Sequence, residues 1–360
     1  MSTMNKLIYG AMVLAFVACN DGIDPITPVA PGEDTAAPAV NITYPLEGTK
    51  VLVKEEVAPI TIKFESTDDI EIQKIDVMLD GATINTYTSF IDYRRAVLSY
   101  TYETLNNGPH KLEIKTTDMS NKSTSQVVNF EKFEPYKTKY DGEIFYMPFD
   151  AEYAVFLDLV SVKEATKVGN PTFATEAKAG QSYSGIAGDY LTFDATDMVN
   201  DEFSAAFWYK INATPDRSGI LTISPPDPAA SKPNKRTSGF RLFREGSPTK
   251  QTFKLNVGNG TADDWFDGGD AASINPAVTT GWVHLAITIS QTKAAVYING
   301  NLANTNTFGG VDWTECTSLT IGSGAPNFVE WDHLSDLSLY DELRIFNKAL
   351  TQTEVQALMQ

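Results

Sequence analysis

Three of the five tryptophans lie among carboxylates: Trp265 in TADDWFDGGD (residues 261–270), Trp313 in GGVDWTE (309–315) and Trp331 in PNFVEWDH (326–333). An indole face is a flat apolar surface that stacks on a sugar ring, while carboxylates beside it accept hydrogen bonds from ring hydroxyls. Trp265, Trp313 and Trp331, with Asp264 and Asp267, are therefore the candidate glycan-binding residues, placed on loops. Trp208 and Trp282 fall instead in apolar runs and are expected in the core. Asp263, Asp264, Asp267 and Asp270, interrupted by Gly268 and Gly269, supply hard oxygens of the kind calcium prefers. Their spacing is not that of an EF-hand, and a solvated acidic loop is the simpler reading.

Other chemistry is sparse. With only His110, His284 and His333, a catalytic triad has few bases, and His284 sits in a strand pattern that buries it. Gly180-Gln181-Ser182-Tyr183-Ser184-Gly185 lacks the spacing of a nucleophile elbow, and no H-E-x-x-H, P-loop or dinucleotide fingerprint occurs. Cys316 stands beside Glu315, which disfavours a thiolate, so it reads as a buried structural thiol. Lys232, Lys235, Arg236, Arg241 and Arg244 form a local cationic run. That run could meet a uronate or sulfated glycan, or simply offset nearby acids.

The chain has 360 residues, 28 basic against 46 acidic side chains, and a net charge of −18. That balance argues against nucleic acid and against broad binding to anionic lipid. Two cysteines, Cys19 and Cys316, cannot build a disulfide framework. At the N-terminus, Lys6 precedes an apolar stretch over residues 7–18 that is too short to span a bilayer and ends in small residues. This reads as a signal peptide over residues 1–18. Residues 19–38, with Pro25, Pro28, Pro31 and Pro38, read as an extended linker.

Beyond the linker the pattern is β throughout. Ile60, Ile62 and Phe64, and likewise Ile75, Val77 and Leu79, alternate as in half-buried strands. Asp80-Gly81 and Asn107-Gly108 mark turns. Residues 39–132 suit an Ig-like β-sandwich, in which Asp68, Asp69 and Asp118 cap turns or, less simply, bind calcium. Residues 141–360 repeat the strand signal: Phe203, Ala205, Phe207, Tyr209 and Ile211 alternate onto one face. Asn299-Gly300 predicts a type I′ hairpin. Thr351 and Glu354 form a capping box that opens a short helix over residues 352–359. The fold class is all-β: an Ig-like sandwich followed by a jelly-roll sandwich with one short C-terminal helix.

Several segments resemble known families. Phe16-Val17-Ala18-Cys19 resembles a bacterial lipobox, with Phe16 in place of the more usual Leu. That implies lipidation of Cys19, and Asn20, Asp21 and Asp24 after it resemble surface-displayed lipoproteins of Gram-negative glycan-degrading bacteria. Gly281-Trp282-Val283-His284-Leu285-Ala286, followed by Tyr297-Ile298-Asn299-Gly300, is similar to strands of laminin-G-like, concanavalin A-like jelly rolls. So is Asp341-Glu342-Leu343-Arg344-Ile345-Phe346-Asn347 with Ala349-Leu350. Glycosidases of that architecture set paired carboxylates on one strand as E-x-D-x-x-E, and no such run occurs in 141–360; Asp341 and Glu342 are adjacent and face opposite sides. The resemblance also implies a structural calcium at Asp150 and Asp341.

Together these readings predict a non-catalytic, carbohydrate-binding lipoprotein on the outer-membrane surface. Its partners would be polysaccharide or oligosaccharide and outer-membrane glycan-uptake proteins, with membrane contact only through the lipid. The alternatives are a protein-binding adhesion or scaffold lipoprotein, and a divergent glycoside hydrolase whose carboxylates converge across strands.

Overall fold

The computed structural model describes residues 32–150, 153 and 155–360. Cys19, the expected signal peptide and most of the expected proline-rich linker lie outside the described residues.

The Ig-like region has two sheets. One pairs Ala39–Tyr44, Ala58–Thr67 and Arg95–Leu105; the other orders Lys50–Val51, Ser123–Lys132, Gly108–Asp118, Ile72–Leu79 and Ala82–Tyr87. The alternating Ile60, Ile62, Phe64, Ile75, Val77 and Leu79 are all buried, as a period of two requires when one strand face meets a core. Asp80 and Gly81 both take positive φ at their hairpin. Asp68 and Asp118 cap turns: Asp68 Oδ2 accepts from the Ile70 and Glu71 amides, and Asp118 Oδ1 from Lys122 N at 2.8 Å.

The jelly roll stacks two eight-stranded sheets. The first runs through Thr166–Val168, Tyr190–Asp194, Ser318–Ile321, Arg217–Ile223, Phe240–Ser247, Lys250–Gly258 and Asp263–Asp267, with Ser273–Ile274 pairing beside Lys250–Gly258. The second runs through Thr172–Ala174, Ser182–Ser184, Leu339–Phe346, Phe203–Lys210, Val283–Ile289, Lys293–Ile298 and Asn301–Thr307, with Glu143–Met147 on Leu339–Phe346. Phe203, Phe207, Tyr209, Phe240, Leu242, Phe253, Leu255 and Tyr340 fill the space between them.

That apolar core holds one buried ion pair. Arg244 Nη2 donates to Asp336 Oδ1 at 2.8 Å, and both side chains are inaccessible to solvent. Arg244 Nε donates to the Tyr209 hydroxyl and Nη1 to Gln251 Oε1 and the Pro215 carbonyl, while Asp336 Oδ2 accepts from the Tyr209 and Tyr340 hydroxyls. A buried pair is tolerated when its remaining donors and acceptors are met in this way. Arg244 therefore leaves the cationic run read from the sequence and belongs to the core.

Asn299 and Gly300 take φ of 50° and 70°, the expected hairpin turn. The helix spans Gln352–Ala357, two residues shorter than predicted, and opens on the Thr351–Glu354 capping box. Its Val355 packs with Leu350 and Phe346 on the outer face of the second sheet, where Ala206, Ala286 and Ala295 leave room for it.

Candidate functional site

Strand pairing decides which loop-derived tryptophans meet. Trp265 lies not in a loop but in the strand Asp263–Asp267, opposite Asn256 of Lys250–Gly258. Alternation turns Phe266 into the core and leaves Asp263, Trp265 and Asp267 on the outer face; Trp265 is 39% exposed. Trp331 reaches that face from the segment before Leu339–Phe346. Its ring centroid is 5.5 Å from that of Trp265, with an interplanar angle of 32°. Phe243 lies edge-on to Trp265 at 6.0 Å, and Phe328 edge-on to Trp331 at 5.5 Å. The Arg236 guanidinium sits 5.1 Å from the Trp331 ring.

Trp313 is elsewhere. It is half-buried, packs on Phe203 and Phe240 of the core and donates its indole N–H to the Asn200 carbonyl at 2.7 Å. The structure thus brings two of the three candidate tryptophans together and separates the third.

The four carboxylates of residues 263–270 do not converge on one point, because each answers its own partner. Asp263 accepts from Asn256 at 2.8 Å and lies 3.7 Å from Arg236; Asp264 accepts from Asn259 at 3.0 Å; Asp270 takes Lys250. Asp267 shares Lys254 with Glu245, at 3.0 and 2.8 Å. Against the cost of partial burial, the Lys254 ammonium and, for Asp267, the Gly269 amide hold these carboxyls below their usual range. Lys254, Glu245 and Asp267 border a shallow groove of about 480 Å³ with Arg217, Lys250 and Thr252.

Beneath the tryptophan pair, His333 is fully buried, stacked on Phe328 at 4.9 Å and edge-on to Phe243 at 4.5 Å. Its Nε2 is 3.3 Å from a Glu245 oxygen, but neither ring nitrogen makes a hydrogen bond among the described residues. Burial outweighs the Glu245 charge and lowers its pKa to about 4. The cationic run is spent: Lys232 pairs with Asp332, Lys235 with Glu315, and Arg241 is buried against the Ser238 and Lys235 carbonyls. Cys316 is buried, with its thiol pushed up to about 12 by that burial.

Sequence reading missed Phe243, Glu245, Lys254 and the site role of His333. One signal was present. In Phe240-Arg241-Leu242-Phe243, Phe243 breaks an alternation that should put a polar side chain outside.

Asp150 and Asp341 both grip the turn over residues 178–181. Asp341 Oδ2 accepts from the Lys178 and Ala179 amides at 2.6 and 2.9 Å, and Asp150 Oδ1 from Gln181 N at 2.8 Å. Gly180 is required here: its φ is +54°, and a Cβ would stand 1.9 Å from Asp150 Oδ1. Asp341 Oδ1 is buried with no partner, and burial raises this carboxyl to about 7 against the two amides. That orphan oxygen fits one ligand of a cation. Among the described residues no three His, Cys, Asp or Glu side chains group as metal ligands, so backbone oxygens or water would complete the shell.

Residues 184–356 match the family model of the concanavalin A-like lectin/glucanases superfamily, and residues 38–114 match that of the bacterial Ig domain. The chain is thus a bacterial Ig domain followed by a concanavalin A-like, laminin-G-type jelly roll. Among solved structures it is similar to domain 4 of AbnA, a GH43 extracellular arabinanase from Geobacillus stearothermophilus, in complex with arabinotriose. That match has 22% identity and TM-score 0.45, covering 61% of this chain and 98% of that one. It is also similar to the botulinum neurotoxin serotype C1 binding domain, at 15% identity and TM-score 0.42, covering 61% of this chain and 51% of that one. The binding domain of Paraclostridial Mosquitocidal Protein 1 matches at 11% identity and TM-score 0.41, covering 61% and 52%. The matched region thus spans about half of each of those two binding domains. No curated protein matches the sequence.

Proposed function

We propose that this protein is a non-catalytic, carbohydrate-binding lipoprotein of the outer-membrane surface, which captures polysaccharide on the outer face of the first jelly-roll sheet. The observation that carries the reading is the Trp265–Trp331 pair, 5.5 Å apart on one face and bordered by hydrogen-bonding side chains. Two neighbouring indoles give stacking surface for sugar rings, and Asp263, Glu245, Lys254 and Asp267 offer polar partners to hydroxyls. Cys19 would carry the lipid, and glycan-uptake proteins of the same membrane would receive the captured chain.

Charge speaks for a binder over a hydrolase. Glycoside hydrolysis needs one carboxyl protonated and a second ionised. Glu245 and Asp267 do converge across strands, on Lys254, but against partial burial that ammonium and, for Asp267, the Gly269 amide hold the two carboxyls low, which does not suit this pair to supply the acid.

The test is retention on polysaccharide-containing gels. One glycan class should retard the wild type, Trp265→Ala should lose that retardation, and Trp313→Ala should keep it. Absence of retardation by any neutral or acidic glycan overturns the reading in favour of a protein-binding adhesin. Cys19→Ala should release the protein from the outer-membrane fraction. Asp150 and Asp341 are the residues that would hold a structural calcium, supported by the unpartnered Asp341 Oδ1. Calcium should then raise the Tm of the wild type and leave that of Asp341→Asn unchanged; equal responses overturn this assignment.

A further inference from the structure

The second sheet carries a different cavity on its outer face, of about 280 Å³. Its floor is Trp208 of Phe203–Lys210 and His284 of Val283–Ile289, which pair across neighbouring strands with their rings edge-on at 5.2 Å. Arg344, Glu342, Lys139 and Lys178 stand around the rim, and the residues after the closing helix complete the wall. The volume corresponds to roughly nine waters of liquid. It takes one ring-sized ligand.

The charges here are unbalanced. Arg344 is spent on Glu143 and, at 3.2 Å, on Glu342, whose carboxylate also accepts from the Tyr146 hydroxyl at 2.9 Å. The ammonium groups of Lys139 and Lys178 have no carboxylate partner among the described residues, and Lys178 Nζ lies 4.1 Å from the Trp208 ring centroid. Arg344, Lys139 and Lys178 set three cations against Glu143 and Glu342, and in a chain of net charge −18 that one surplus positive charge marks a place for an anion. His284 adds a second demand. It is 2% exposed, lines the cavity, and its Nδ1 is buried with no hydrogen-bond partner. With Nδ1 sealed from solvent, Nε2 is the ring nitrogen the cavity can reach, and it is free to bond a ligand hydroxyl. Burial lowers the imidazole pKa to about 4, so near neutral pH the ring is uncharged and answers a hydroxyl, not a second anion.

We propose that this pocket binds a carboxylated sugar: the carboxylate of a uronate faces Lys139 and Lys178, and a ring hydroxyl meets His284 Nε2. The site is separate from the Trp265–Trp331 face, and its ligand is chosen by charge as well as by hydroxyls.

The experiment is titration of the folded protein with sodium galacturonate, followed by the Trp208 indole N–H and His284 ring resonances. Galactose and sodium acetate serve as controls at equal ionic strength. Galacturonate should shift both resonances and bind at least about tenfold more tightly than either control, the scale of one lost charge-assisted hydrogen bond. Lys139 and Lys178 are exposed, so the Lys139→Gln/Lys178→Gln variant keeps the fold and should weaken binding by about tenfold or more. Trp265→Ala should leave it unchanged. Galactose or acetate binding as tightly as galacturonate overturns the proposal, as does unaltered affinity in the double variant.

Discussion

The outer faces of the two jelly-roll sheets use the same materials, tryptophan, histidine, lysine and carboxylate, with opposite electrostatic results. On the first sheet the cations around Trp265 and Trp331 are matched: Lys254 by Glu245 and Asp267, Lys232 by Asp332, Lys235 by Glu315. On the second, Arg344 is matched while Lys139 and Lys178 are not. A face whose charges cancel offers stacking and hydroxyl contacts to a neutral polymer; a face with spare ammoniums favours an acid. The comparison teaches that residue composition near a site says less than which charges have already found partners.

The sharpest way to break the contrast is through the ion pair beneath the first sheet. Arg244→Met leaves Asp336 buried without its cation and should cost about 3–5 kcal/mol in denaturant unfolding. Glycan retention should fall with it, because Asp336 closes the segment that carries Trp331, while the folded fraction keeps galacturonate affinity. A loss below about 1 kcal/mol would show that the pair is dispensable.

The tryptophans separate next. Trp313→Ala should cost about 3 kcal/mol and keep glycan retention. Trp265→Ala should change stability by less than about 1 kcal/mol, as its exposure implies, and abolish retention. Equal behaviour of the two variants would erase the distinction between core and platform.

His333 gives a pH signature to the first face. Its folded pKa of about 4 lies below the ordinary 6.5, so the unfolded chain takes up the proton more readily. Its contribution is present above pH 6.5 and is lost as pH falls toward 4, about 2 kcal/mol by pH 5. Its neighbours Glu245, held low, and Lys254, held high, stay charged in that window. His284, lowered to about 4 by its own burial, adds a parallel share, so His333→Leu should reduce the slope of this acid limb by about one proton, measured as unfolding free energy against pH; an unchanged slope would place the titration elsewhere.

The smallest effect tests the second face. Thr351→Ala removes the helix cap and should cost about 1 kcal/mol. It should weaken galacturonate by less than about threefold, since the helix only carries the wall residues Leu358, Met359 and Gln360 and contributes none of the named charges.

Much of the fold was legible before any tertiary information. Alternation assigned Ile60, Ile62, Phe64, Phe203, Phe207 and Tyr209 to cores, because side chains on a strand have period two. Asn299-Gly300 and Thr351–Glu354 announced their turn and cap, because these signals are local. The site was legible only as a set of candidates. Nothing in the spacing of 265, 313 and 331 separates an indole on a platform from one packed on Phe203 and Phe240. Arg244 read as surface charge until the chain closed over it.

The sequence by itself determined that two β-sandwiches form and which alternating apolar side chains turn inward, but it placed Trp208 in the core, whereas that indole lies on the outer face of the second sheet beside His284. Only the tertiary structure decided that Trp265 meets Trp331, that Lys254 stands between Glu245 and Asp267, and that His284 lines a pocket with two spare lysines. The physical reason is range. Period and capping act over a few residues, whereas strand neighbours and loop cover are set by pairings between segments far apart in the chain, where stacking and charge compensation are decided.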